Sequence, residues 1–319
     1  MNKLVAIEKV KSYFQSLKLK LLNRKLQRKW LLNTLVISIL LVLLYIAGTF
    51  IPEGFDWKMY FSKGILHPIW TPWTKWFISI FNYPIIFALS VIAIGLRVFK
   101  YKRSFIAVAL ALLSLPTLWV FFMGNLDGLV LLGLLLMPIG VPLALMKPQI
   151  AGFAMLARKS WFIAAVIWFI ISLIIFGFWP KNLLMVVQPE WKLEWTQDIS
   201  LFPWGLIAAI PLLFLSRGDE DLLMASGSLA TPHLFPYHFI ILMPSLARMK
   251  WYWMVITWIV SWTPLLANYF GNWAWHFGNL LSACFWLGIV LSNKSIKIRV
   301  VNDLKKVFHW IRSRGKKTA

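Results

Sequence analysis

Residues 31–51 read LLNTLVISILLVLLYIAGTFI, twenty-one positions without a single charge. As a helix rising 1.5 Å per residue, such a run is long enough to cross a hydrocarbon core of about 30 Å. It is too long for a signal-peptide core and no small-residue cleavage site follows it, so the expectation is a retained span. Residues 105–122 and 162–178 repeat the pattern. The composition agrees: 60 % of residues are apolar, only 14 % are charged, and the mean hydropathy is +0.72. The sequence therefore predicts an all-α polytopic membrane protein and excludes an ordinary soluble domain.

Working outward from that run, the net charge of +22 could suggest a nucleic-acid binder, but its placement argues otherwise. Residues 1–30 carry nine Lys/Arg against Glu8, and residues 294–319 carry nine against Asp303, so the two tails supply 16 of the 22 charges. Basic segments flanking apolar spans mark the cytoplasmic side, which places both termini inside the cell membrane. In the N-terminal segment Leu17, Leu19, Leu21, Leu22 and Leu26 alternate with Lys18, Lys20, Arg24, Lys25, Arg28 and Lys29. That pattern fits a helix lying on anionic lipid and fits a plain solvated topology signal equally well. The chain divides into a basic cytoplasmic segment (1–30), one membrane domain (31–293) and a basic cytoplasmic tail (294–319).

With the N-terminus inside, the first span delivers residues 52–83 to the outer face. Residues 70–81 read as an interfacial element, and 84–99 return to Lys100, Lys102 and Arg103. Residues 105–122 lead out to Gly124-Asn125-Leu126-Asp127-Gly128. Pro138, Gly140, Pro142 and Pro148 interrupt 129–157, which predicts a broken or re-entrant arrangement. Further spans are expected over 161–178, 204–216, 251–269 and 275–293, with a second broken segment over 222–247 around Pro232 and Pro236. The count comes to about eight to ten membrane segments including the short ones. Twenty tryptophans, among them Trp70, Trp73, Trp76, Trp179, Trp191, Trp195, Trp273 and Trp275, gather near span ends as an interfacial belt would.

The single cysteine, Cys284, excludes disulfides, and five histidines without metal-ligand spacing give no metal motif. No Gly-rich phosphate loop or cofactor signature occurs. Only eleven acidic residues are present, and six of them (Glu53, Asp56, Asp127, Glu190, Glu194 and Asp198) fall on the outer side of this topology. Asp219, Glu220 and Asp221 fall inside and read as a solvated turn. Two broken segments carrying Lys147 and the pair His233 and His238 at membrane depth point to a polar cavity, because ionisable side chains are costly in lipid.

Four short motifs, in order, resemble those of the polyprenol-dependent glycosyltransferases of family 87, a mannosyltransferase-like branch of the GT-C superfamily. They are Asp56-Trp57-Lys58-Met59-Tyr60, Gly124-Asn125-Leu126-Asp127, Lys147-Pro148-Gln149, and Ser228-Leu229-Ala230-Thr231-Pro232-His233 followed by Tyr237. The chain is short for that family, and the last motif is longer by two residues. The resemblance implies a GT-C-like bundle with an outward cavity and a hexose, mannose-like, moved from a polyprenyl-phosphate donor with inversion. The acceptor would be a glycolipid, a polysaccharide precursor or a secreted protein.

Each candidate has a plain reading beside the chemical one. Asp56 is either a helix cap or solvated loop acid, or the general base that takes the proton of an acceptor hydroxyl. Glu53 is the fallback in the same loop. Lys147 either snorkels to an interface or neutralises the lipid phosphate of the donor. His233, with Tyr237 and His238, is a donor phosphate or sugar ligand, or a satisfied buried histidine. Asn125, Asp127 and Gln149 are sugar-binding candidates, Asp127 equally a helix cap. Lys58 and Lys63 either attract the anionic donor or meet headgroups. The competing function is a non-catalytic lipid-binding or transport protein, since broken helices with central cations also build transporter sites.

Overall fold

The computed structural model describes residues 31–62, 71–181 and 196–315. The N-terminal segment 1–30, Lys63, His67, Trp70, Glu190, Trp191, Glu194 and Trp195 lie outside the described residues. Helix α1 (Leu31–Thr49) is apolar all round and barely packed against the rest of the protein. A loop and a short π-helical turn (Trp57–Ser62) follow it, then α2 (Thr74–Ile80) and α3 (Tyr83–Tyr101).

α3 sets the scale of the molecule. It starts because the Asn82 side chain accepts the Ile85 N–H at 3.1 Å, with Pro84 in the first turn where its missing donor costs nothing. Its nineteen residues extend about 28 Å. At the N-terminal end the Tyr83 hydroxyl donates to the Phe121 carbonyl, and its ring lies 5.8 Å from that of Trp57. At the other end Arg97, Lys100 and Tyr101 enter a cluster of acids. Two polar assemblies therefore sit at opposite ends of one helix.

Four helices among the described residues are long and apolar enough to cross a membrane: α1, α3, α9 (Lys159–Phe176) and the stretch Asn272–Ser292. α4 (Phe105–Leu112) and α5 (Leu115–Met123) are together long and apolar enough for a fifth, but are bent by 53° at the break between them. Residues 105–122 are thus a bent helix pair where one continuous helix was expected. Pro116 lacks the N–H that would reach the Leu112 carbonyl, and at the break the Ser114 and Thr117 hydroxyls donate to the Ala111 carbonyl at 2.8 and 2.7 Å. The expected interruption of 129–157 is present as α6 (Asp127–Leu135), α7 (Val141–Ala144) and α8 (Pro148–Ala154).

Beyond α9 come α10 (Leu206–Ser216) and α11 (Glu220–Gly227), then two 3₁₀ segments (Pro236–Ile241 and Met243–Arg248). Residues 251–269 also differ from expectation. α12 (Trp251–Val260) gives way at Pro264 to a 3₁₀ turn and the short α13 (Ala267–Phe270). The chain ends through α14 (Leu280–Ser292) and the basic α15 (Lys294–Gly315). The described residues are helical or irregular, with no β-strand among them. That supports the all-α class at this coarse level.

Two sequence readings are corrected. Asp219, Glu220 and Asp221 do not form a solvated turn. Asp221 is fully buried between Arg97 (3.0 Å) and Arg248 (2.5 Å), and Tyr101 donates to it at 3.0 Å. Arg248 also meets Asp219 at 2.5 Å, and Glu220 receives Arg97 and Lys100, each at 3.3 Å. Three cations and three anions balance, which is how charge is retained in an apolar interior. Trp73 and Trp179 depart from the expected interfacial belt, whereas Trp76 and Trp273 are exposed. Trp73 is buried, donates to the Pro142 carbonyl at 2.9 Å, and meets Trp168 and Trp179 edge-on at 5.5 and 5.1 Å.

Candidate functional site

The polar assembly at the N-terminal end of α3 begins with a close approach of backbones. A Cβ on Gly54 would fall 2.2 Å from the Phe122 carbonyl oxygen, and one on Gly124 would fall 2.6 Å from the β-carbon of Trp57. Gly124 also has a φ of +73°, which favours glycine in that turn. These two glycines let the loop after α1 lie directly on the α5–α6 turn. Asp56 is thereby 8 % exposed and turned toward Asn125 rather than toward bulk solvent.

Asn125 then orders the centre. Its side-chain oxygen accepts the Leu126 N–H at 2.7 Å and the Lys147 ammonium, so that end of the amide must be the carbonyl. The Nδ2 group is left to donate to Asp56 Oδ2, which it does at 2.5 Å. Lys147 comes from the residue preceding α8 and also donates to Asp127 Oδ2 at 2.8 Å. Its ammonium stands 5.0 Å over the Tyr237 ring. Asp127 is fully buried, and its Oδ1 has no hydrogen-bond partner among the described residues.

Tyr237 carries the assembly toward the histidines. Its phenol lies beside Asn125, and its ring is 4.6 Å from that of His238. His238 Nδ1 accepts the Phe235 N–H at 2.9 Å, and the His238 ring is 6.2 Å from that of His233. His233 Nδ1 pairs with Asp198 Oδ2 at 2.8 Å. Asp198 Oδ1 also accepts the backbone N–H groups of Leu234 and Ser200, each at 3.0 Å. Asp56, Asn125, Asp127, Lys147, Tyr237, His238 and His233 are thus brought into one continuous buried series.

Gln149 stands at its margin. Its backbone carbonyl accepts the Thr231 hydroxyl at 2.6 Å, while its side-chain oxygen is buried with no partner among the described residues. Glu53 and Lys58 are exposed and outside the series. Asp198 was not singled out from the sequence beyond its place among the outer-side acids. The signal that could have found it is the scarcity of such acids beside a histidine needing a partner. A second carboxyl, Asp127, joins the Asp56 cluster across Asn125 and Lys147.

The carboxyls of Asp56 and Asp198 are displaced in opposite directions. Burial pushes Asp56 up to about 6, and Asp127 adds to the rise, while Lys147 and the Asn125 hydrogen bond hold it lower than burial alone would. Burial also acts to raise Asp198. There the hydrogen bond and charge of His233, with the Leu234 and Ser200 N–H groups, outweigh it and hold the carboxyl below its ordinary value. A carboxyl near neutrality suits proton exchange, whereas one held low serves as a fixed anion.

Among the described residues no group of three or more His, Cys, Asp or Glu is placed to hold a metal ion. Comparison of the chain with family models, curated proteins and solved structures gives no match.

Proposed function

We propose that this chain is a multi-pass membrane glycosyltransferase that moves a mannose-like hexose from a polyprenyl-phosphate donor to an extracytoplasmic acceptor with inversion. The observation that carries the reading is the gathering of Asp56, Asn125, Lys147 and Tyr237 into one buried polar cluster, although Asp56 and Tyr237 lie far apart in sequence. Those residues belong to the motifs that resemble the polyprenol-dependent enzymes. A cell-membrane location with both termini cytoplasmic is part of the proposal. It is supported by the apolar helices and by the basic helix α15, which would face anionic lipid or the cytoplasm.

In this reading the acceptor hydroxyl lies against the free side of the Asp56 carboxylate. Its oxygen forms the new bond to the anomeric carbon while its proton passes to Asp56. The bond from that carbon to the phosphate oxygen breaks, and polyprenyl phosphate leaves. A lipid phosphate is already a good leaving group, so a second carboxyl acting as acid is unnecessary. Asn125 holds one oxygen of Asp56 and so aims the other. His233, fixed by Asp198, and His238 lie on the side assigned to the donor phosphate and sugar, with Tyr237 between them and Asn125.

One feature favours the second reading, a non-catalytic lipid-binding or transport protein. Lys147 already has Asp127 and Asn125 as partners and is not a bare cation awaiting a phosphate. Purified protein in lipid nanodiscs, supplied with polyprenyl-phosphate hexoses and a panel of glycolipid acceptors, separates the two. Release of polyprenyl phosphate that vanishes in Asp56→Asn, with donor binding kept, supports the transferase. Donor binding without turnover in every combination would leave the carrier.

A further inference from the structure

The basic helix α15 does not prolong α14. Asn293 is extended, so α14 stops there and α15 takes a new direction. The Trp286 indole of α14 donates to Ser216 at 2.8 Å, which sets the end of α10 level with residue 286. A straight continuation of α14 would carry Asp303 about 25 Å past that level. Instead both oxygens of Asp303 receive the Arg217 guanidinium, at 3.1 and 3.0 Å, and Arg299 donates to the Arg217 carbonyl at 3.1 Å. Val300 is buried behind these contacts. α15 therefore lies over the ends of two apolar helices. This is the Arg97 end of the molecule, where Asn293 also donates to the Arg248 carbonyl at 3.2 Å.

That docking leaves one face of α15 uncovered. Val301 and Leu304, one turn apart, are each 39 % exposed. The sequence sets Phe308 and Ile311 at the next steps of the same helical spacing. Lys294 and Lys305 stand seven residues before and four after Val301, and Lys297 stands seven before Leu304. All three lysines are exposed. The helix carries seven Lys/Arg against Asp303 alone, and Arg217 already neutralises that acid.

An apolar stripe bordered by ammonium groups, at the level where apolar helices end, has the chemistry of a helix lying in an anionic bilayer surface. Other occupants of the chain's own making lack the complementary charge. A second copy carries +22, and the segment 1–30 carries nine Lys/Arg against Glu8. We propose that α15 docks on an anionic lipid leaflet, with Val301 and Leu304 among the acyl chains and Lys294, Lys297 and Lys305 at the headgroup phosphates. The Arg217–Asp303 pair then ties the end of α10 to that leaflet. This inference stands apart from the transferase reading and does not need it.

The test uses the full chain in nanodiscs with Cys284→Ala, which leaves no other thiol, and a nitroxide on Val301→Cys, Leu304→Cys or Lys306→Cys. In phosphatidylcholine with phosphatidylglycerol, labels at 301 and 304 should favour oxygen over a water-soluble nickel chelate about tenfold more than the label at 306 does. Omitting phosphatidylglycerol should reduce that contrast about threefold, as should Lys294→Gln, Lys297→Gln and Lys305→Gln combined. Lys294→Arg, Lys297→Arg and Lys305→Arg together should keep it. Salt at about 1 M should weaken it without any substitution, because the screening length falls to about 3 Å. Equal access of the chelate at all three positions overturns the proposal and makes α15 a solvated tail. Labels at 301 and 304 closed to both reagents overturn it in favour of a protein partner. A contrast indifferent to phosphatidylglycerol and to salt removes the headgroup contact, and the proposal with it.

Discussion

Asn125 Nδ2 lies 2.5 Å from Asp56 Oδ2, and the orientation of that amide is dictated from its other end by Lys147 and the Leu126 N–H. The aim of Asp56 is therefore set by residues that need not touch a substrate. Replacing Asn125 by Leu removes a hydrogen bond to a charged group, worth about 1.5–3 kcal/mol. The expected outcome is a loss of one to two orders of magnitude in kcat for hexose transfer with little change in donor KM. An unchanged kcat would show that Asp56 is aimed by something else.

The protonation of Asp56 gives a prediction with a sign. A general base must be ionised, so kcat/KM for transfer should rise about tenfold per pH unit below about 6 and level off above it. For stability the direction is reversed. Because burial raises this carboxyl, its charge opposes folding, and stability should fall as pH climbs from the ordinary carboxylate value of 3.8 through about 6. Thermal unfolding of wild type and Asp56→Asn across that window separates the two effects.

It follows that Asp56→Asn should stabilise the protein while abolishing transfer. The amide keeps an acceptor for Asn125 Nδ2 and removes a penalised charge. The displacement from 3.8 to about 6 corresponds to about 3 kcal/mol at neutral pH. A Tm at pH 7.5 that rises in the variant is the expected result. A lower Tm would mean that Lys147 depends on the Asp56 charge more than on Asp127.

Arg97 anchors the opposite end of α3, where it is wholly buried against Asp221 and Glu220. Removing one partner from a buried ion pair costs about 3–5 kcal/mol because the other charge is left uncompensated. Arg97→Met should therefore reduce the yield of folded protein and lower the Tm. Lys100→Met, at an exposed position, should do neither beyond about 1 kcal/mol.

The membrane-length helices and the residues of the Asp56 cluster were legible because both break sharply with their surroundings. A charge-free run of twenty-one residues has few structural readings, and Asp56, Asp127 and Lys147 stand out in apolar sequence. What remained hidden is pairing at long range. Asp221 reads locally as part of a polar turn, and nothing near it announces an arginine 124 positions earlier. Asp198 is likewise given meaning only by His233, 35 positions later. The break at Leu113–Ser114 also escaped the hydropathy reading. Ser114 and Thr117 satisfy the bend without adding charge, so the run stays apolar through it.

Gly54 links the fold to the site most economically. It takes no part in any proposed chemistry, yet a methyl group there would stand 2.2 Å from the Phe122 carbonyl oxygen and equally near the Met123 carbonyl carbon. Both obstacles are backbone, which yields less readily than a side chain. Gly54→Ala must therefore lift the 54–57 loop from the α5–α6 turn, carrying Asp56 away from Asn125. Catalysis tolerates about 1 Å of misplacement only at a cost near a hundredfold. The expected outcome is a loss of transfer of that order with the Arg97 end of the molecule intact, so that the Tm drops far less than in Arg97→Met. If Gly54→Ala transfers hexose at the wild-type rate, the close approach of the two backbones is not what positions Asp56.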